Sequence, residues 1–304
     1  MRAGSAPGNG RRVIVTALVL GVVILVGGFL LGHLAGSRSR AGLGDRPEGG
    51  PKISRDRVAP LARLALPPLP PQPQPITGPD RPPLPVERGG PFGSRLTTGT
   101  PEVALTFDDG PDEVWTPQVL ALLRDYGVQA TFCMIGSKAA KYPQLVRDVV
   151  ADGHTLCNHS WSHDVWLGLR DEETVLADLR RTNEALTRAA PSARISYYRQ
   201  PGGNWSPVVV AAARRLGMTA LHWRIDPHDW QLGPSHRIAA DVTSQATPGA
   251  IVLLHDGGGD RGRTLSALRT ILANLITRFH LAPLPPGMEE PRPSGTGWFG
   301  RPGQ

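Results

Sequence analysis

The chain has 304 residues and a formal net charge of +7, but its 33 basic residues are scattered, with no basic helix and no interleaved aromatics, which excludes a nucleic-acid-binding surface. Gly (36) and Pro (31) together exceed a fifth of the sequence and concentrate in residues 36–100 and 281–304, so only the stretch between can build a core. One folded domain is expected rather than two, and nothing in the pattern points to a protein partner.

Residues 13–32 (Val13 to Gly32) form a run of twenty uncharged, almost wholly apolar residues. As a helix it is about 30 Å long, enough to cross a bilayer. Arg2, Arg11 and Arg12 precede it, the arrangement of a signal anchor that leaves the rest of the chain outside, although Arg38 and Arg40 weaken the charge asymmetry. A cleaved signal peptide is the alternative, with Ala35-Gly36-Ser37 offering small residues to a peptidase. From Gly36 to about Thr100 proline is dense, as in Leu66-Pro67-Pro68-Leu69-Pro70-Pro71, and such a segment favours extended polyproline conformations. The expected division is a cytoplasmic N-terminus over 1–12, a transmembrane anchor over 13–33, a Pro/Gly-rich stalk over 34–100, a folded domain over 101–282 and a disordered tail over 283–304.

From Pro101 strands alternate with helices. Thr116-Pro117 is expected to cap and start a helix that stops at Gly127, Pro143 opens one that stops at Gly153, and Ser206-Pro207 opens one that stops at Gly217. Apolar stripes predict further helices at about Glu172–Arg188 and Thr264–Arg278. Between them lie strand candidates Val103–Phe107, Ala130–Ile135, His154–Asn158, Ser196–Arg199, Met218–Trp223 and Ala250–His255, with a seventh near Phe279–Ala282. This is an α/β pattern with a parallel, barrel-like sheet. Cys133 and Cys157 fall in neighbouring strand candidates, where they form either a disulfide or a pair of small buried hydrophobes.

Five of the seven predicted strands are closed by a polar cluster. Asp108-Asp109 follows the first, His159 to His163 the third, Arg199-Gln200-Pro201-Gly202 the fourth, Trp223 to Trp230 the fifth and His255-Asp256 the sixth. Polar residues gathered at the carboxyl ends of parallel strands are where α/β barrels place their active sites. Adjacent carboxylates repel, so the Asp108-Asp109 pair calls for a cation, and if one binds a metal the other is free to act as a base. His159 and His163, four apart, can turn both rings to one point, and with an aspartate they make a His2Asp set suited to Zn²⁺ or another borderline divalent metal such as Co²⁺.

The set Thr106-Phe107-Asp108-Asp109-Gly110-Pro111, His159-Ser160-Trp161-Ser162-His163, Arg199-Gln200-Pro201-Gly202, Asp226-Pro227-His228-Asp229-Trp230 and Leu253-Leu254-His255-Asp256 resembles the five motifs of the polysaccharide deacetylases, the NodB-homology or carbohydrate esterase family 4 enzymes. The resemblance implies a distorted (β/α)7 barrel and metal-dependent removal of N-acetyl groups from a polymer containing N-acetylglucosamine. It implies Asp108 as general base, Asp109, His159 and His163 as metal ligands, and His255 as general acid. Arg199 is then expected to orient Asp108, Asp229 to hold His255 in its working tautomer, and Trp223 and Leu253 to wall the pocket for the acetyl methyl.

The family usually has a tyrosine where this chain has Gly202, so the backbone N–H expected to steady the oxyanion comes here from a glycine and an aromatic wall is removed. Trp205 is the candidate replacement for that wall, and His228 a candidate sugar contact. The stalk and anchor point to a tethered, extracytoplasmic enzyme whose substrate is cell-wall polysaccharide, peptidoglycan first. An O-acetyl esterase of xylan type and a non-catalytic wall-binding module are the alternatives.

Overall fold

The computed structural model describes residues 89–285, and among them no helix is long and apolar enough to cross a membrane. The apolar run at 13–32, the proline-dense stretch up to 88 and the tail from 286 lie outside the described residues. The elements run β1 (Ala104–Asp108), α1 (Trp115–Asp125), β2 (Thr131–Met134), α2 (Gly136–Lys141), α3 (Pro143–Ala151), β3 (Thr155–Asn158), α4 (Glu172–Ala189), β4 (Tyr197–Tyr198), α5 (Pro207–Arg215), β5 (Thr219–Ala220), α6 (Ser235–Gln245), β6 (Ile251–His255) and α7 (Gly262–Leu275). All strand pairs are parallel, in the order β5-β4-β3-β2-β1-β6.

The expected seven-stranded barrel is corrected to six strands curled into a half-barrel. Near the seventh candidate only Leu281 pairs, in an isolated parallel bridge to Val103. Pro283 and Pro285 follow at once, and residues without an N–H cannot extend a ladder. The gap between β5 and β6 is spanned instead from the N-terminal side, where Arg95 bridges Leu221 and Thr97 bridges Ala250. The packed body therefore starts before the boundary expected at Pro101, and it runs past 282, since Leu284 is fully buried.

Pleat parity decides what each strand contributes. Successive side chains on a strand face opposite ways, so Leu105 and Phe107 of β1 join Val252 and Leu254 of β6 in the cluster shared with the outer helices. Ala104, Cys133, Cys157, Tyr197, Leu221 and Ile251 form a second cluster on the inner side. The inner parity, continued to the carboxyl ends, carries Asp108, His159, Arg199, Trp223, Leu253 and His255. The same alternation that fills the core thus aims the polar residues at one mouth.

Local signals set the helices. Ser206 caps α5 by accepting from the Val209 amide, and Asp171 caps α4 by accepting from the Thr174 amide at 2.8 Å. α4 buries Val175, Leu179, Thr182 and Leu186 as one stripe. Thr116 does not cap α1. The helix starts one residue earlier, Asp112 accepts from the Val114 and Trp115 amides, and the Thr116 hydroxyl donates to Asp256 at 2.6 Å.

Cys133 and Cys157 lie directly opposite each other on β2 and β3 and are joined by a disulfide with a sequence separation of 24. Closing a loop of that length in the unfolded chain stabilises the fold by about 3 kcal/mol. Urea unfolding of a Cys133→Ala/Cys157→Ala variant is expected to show that loss, and an unchanged midpoint would contradict it.

Candidate active site

Asp108 ends β1, level with Cys133 on one side and His255 on the other. Its Oδ1 accepts from Arg199 Nη1 at 2.7 Å, leaving Oδ2 turned toward His159 Nε2 at 3.7 Å. Arg199 is fully buried and fully engaged: Nη1 also donates to the Thr106 hydroxyl at 2.8 Å, and Nε and Nη2 donate to the carbonyls of Leu221 and His222. The guanidinium is a rigid strut between three strands and the first carboxylate.

Asp109 leaves the strand with φ 73°, a left-handed conformation that re-aims its side chain away from the parity of β1. Its Oδ1 lies 3.4 Å from His159 Nε2 and 3.2 Å from His163 Nε2, and has no hydrogen-bond partner. Gly258 packs on this carboxylate so closely that any Cβ there would collide with Oδ2. Burial opposes ionisation of Asp109, yet the adjacent His159, with His255 and His163 behind, holds its carboxyl well below the usual range.

The two histidines meet through a compact loop rather than a helical turn, with Ser160 and His163 at φ 61° and 59°. His159 Nδ1 lies 2.9 Å from the Arg199 carbonyl, an acceptor only, so Nδ1 carries the proton and Nε2 presents its lone pair to Asp109. Burial works against charge on His159, but Asp108 and Asp109 raise its pKa, whereas burial lowers that of the more exposed His163. One ligand atom each from Asp109, His159 and His163 can be chosen so that all lie within 4.8 Å of one another. Two imidazole nitrogens and a partnerless buried carboxylate oxygen are a donor set that fits a divalent metal.

His255 ends β6. Its Nδ1 donates to Asp229 Oδ1 at 2.7 Å, and its own amide donates to Oδ2 at 3.0 Å. Thr264, in the first turn of α7, adds a third bond to Asp229, donating to Oδ2 at 2.8 Å. Burial disfavours the imidazolium, but the hydrogen bond and charge of Asp229, with Asp108 and Asp109 beyond, raise the His255 pKa. Asp229→Asn is therefore expected to move the alkaline limb of the kcat/KM profile to lower pH and to lower kcat by about tenfold or more. A pH profile that keeps its alkaline limb would remove Asp229 from this role.

Asp108, Asp109, His159, His163 and His255 open on one cleft of about 380 Å³, lined also by Gly202, Trp223 and Leu253. Gly202 sits at φ 62° against Val165, so a side chain there would be strained as well as crowded. One expectation is corrected. Trp205 does not reach the cleft; its Nε1 donates to His222 Nδ1 at 3.1 Å, and the His222 ring lies tilted 4.1 Å from that of Trp223, so it braces the wall from behind. His228 is exposed and lines no part of the cleft. The sequence reading missed Lys138, whose Nζ donates to the Asp109 carbonyl at 2.8 Å, and Thr264 and Arg261, which follow an ordinary-looking glycine turn. It also missed what Asp256 does: wholly buried under Gly110, its carboxyl is pushed up to about 7 by burial.

A family model described as polysaccharide deacetylase matches residues 95–221. The chain is 38% identical over 196 residues to a chitooligosaccharide deacetylase of Sinorhizobium fredii, covering 60% of this chain and 90% of that one. It is 39% identical over 177 residues to a peptidoglycan-N-acetylglucosamine deacetylase of Bacillus cereus, covering 57% and 81%. Among solved structures, a family 4 carbohydrate esterase from Streptomyces lividans in complex with acetate superposes with a TM-score of 0.55 at 29% identity, covering 62% of this chain and 93% of that one.

Proposed function

The chain belongs to the polysaccharide deacetylase family and is a carbohydrate esterase family 4 hydrolase acting on polymers that contain N-acetylglucosamine, and from that premise we propose that its substrate is peptidoglycan. The observation that carries the chemistry is the convergence of the Asp109–His159–His163 set and the His255–Asp229 pair on one cleft.

Asp109, His159 and His163 would hold the ion, zinc being suited to two imidazoles and a carboxylate. When bound, it supplies Lewis acidity toward the acetyl carbonyl and the attacking water. Asp108 Oδ2 takes the proton from water as the new C–O bond forms, while Arg199 keeps Oδ1 fixed. The Gly202 amide steadies the oxyanion, and Trp223 and Leu253 enclose the methyl group. His255, charged and held through Nδ1, gives a proton from Nε2 to the leaving nitrogen as the C–N bond breaks. Acetate and a free amine result.

The sequence supports a tethered enzyme, with the apolar run at 13–32 as its anchor and the proline-dense stretch after it as the stalk. The Cys133–Cys157 disulfide supports an extracytoplasmic site, because such bonds persist in oxidising compartments. Chitooligosaccharide is the second reading, favoured by the 90% coverage of the Sinorhizobium relative. Acetate release from peptidoglycan, chitooligosaccharide and acetylated xylan decides among them. Peptidoglycan is expected to be turned over fastest; release from xylan alone would make the protein an O-acetyl esterase.

A further inference from the structure

Arg261 lines the cleft from the loop between β6 and α7, yet the chemistry above gives it nothing to do. It is 4% exposed. Its Nε donates to the Gly257 carbonyl at 2.6 Å, while Nη1 is buried without any partner. The contrast with Arg199, whose guanidinium nitrogens meet four oxygen acceptors, is plain. The carboxylates nearby turn elsewhere: Asp108 to Arg199, Asp109 to two imidazoles, Asp229 to His255, Asp226 to the His228 amide at 2.8 Å, Asp256 to the Thr116 hydroxyl and Asp260 to the Gly262 amide. None of them forms an ion pair with Arg261. A guanidinium stays charged when buried, so an unpaired one costs heavily unless a ligand brings the anion.

We propose that Arg261 is a subsite for a carboxylate borne by the sugar next to the N-acetylglucosamine being deacetylated. The proposal rests on the deacetylase reading and narrows its substrate to an anionic glycan. With Nε engaged and Nη1 buried, Nη2 is the nitrogen left to meet a ligand, and a carboxylate gives it a charge-assisted N–H···O bond. A lactyl ether ending in a free carboxylate, the group left on peptidoglycan once its peptide is removed, has that chemistry. A neutral N-acetylglucosamine oligomer lacks it, and a lactyl group still joined to peptide offers only a carbonyl. The reaction that supplies the preferred substrate is therefore an amide hydrolysis that strips the peptide.

The test compares peptide-stripped peptidoglycan strands with a chitooligosaccharide of equal length, using the full-length, metal-loaded protein. Wild type is expected to show a KM lower by about tenfold or more for the stripped strand. Arg261→Gln is expected to erase that difference while leaving kcat on both glycans, and KM on the neutral one, within about twofold. Arg261→Lys is expected to restore part of the preference. Equal changes on both glycans would assign Arg261 to holding the Gly257–Gly259 loop and overturn the subsite, as would no change on either. Should Arg261→Gln not fold, as judged by its melting temperature, the lysine variant carries the same comparison. Calorimetric binding of the two glycans is measured in parallel. Equal affinities overturn the subsite whether or not acetate is released, whereas no acetate from either glycan overturns the deacetylase reading and leaves binding to decide the subsite.

Discussion

Asp108→Asn is expected to lower kcat/KM for acetate release by about 10²- to 10⁴-fold, the range over which a positioned base contributes. The exchange is nearly isosteric and keeps an oxygen to accept from Arg199 Nη1, so the strut between strands persists. What disappears is the basic oxygen at Oδ2, the one not committed to Arg199. The loss should fall on kcat, with KM and metal content close to wild type, because Asp108 lies outside the Asp109–His159–His163 set. Neutralising the partner of a buried guanidinium also costs stability, so a melting curve belongs beside the kinetics. A variant that keeps more than about a tenth of wild-type turnover would place the base elsewhere.

Removal of metal by a chelator is expected to abolish acetate release, and Zn²⁺ or Co²⁺ to restore it. The two histidines should then separate. His163 is partly exposed on a loop, so His163→Ala should weaken metal affinity by about 100-fold or more with little change in melting temperature. His159 is buried and tied through Nδ1 to the Arg199 carbonyl, so His159→Ala should cost metal affinity and stability together. Metal content by elemental analysis and melting curves for both variants check this directly. Undiminished activity after exhaustive chelation would exclude a metal-dependent mechanism.

Much of this site was legible because five of the six strands end in a chemically costly cluster. Asp108-Asp109, His159 and His163, Arg199, and His255 announce themselves at strand ends, and the structure brings them to one mouth. The seventh strand was misread because Phe279–Ala282 is apolar, while the prolines that stop it lie just beyond. α2 escaped notice because six residues opening on glycine carry no periodic stripe. α6 escaped because it buries only Ile238, Ala239 and Val242 and has no side-chain cap. Arg261 and Thr264 were invisible for another reason: their roles depend on the fold returning the Gly257–Gly259 turn to the first strand's carboxylates, a contact with no sequence period.

The alternation along the strands sets a rule about insertions and deletions. Adding or removing one residue within β1, β3 or β6 would swap the inward and outward rows, driving the acid, the base or an imidazole into the layer under the helices and bringing leucines to the mouth. A change of two residues would keep the facing and shift only the height. Evolution can therefore edit connections away from the cleft, such as 190–195, residue by residue, whereas the strands tolerate length changes only in even steps.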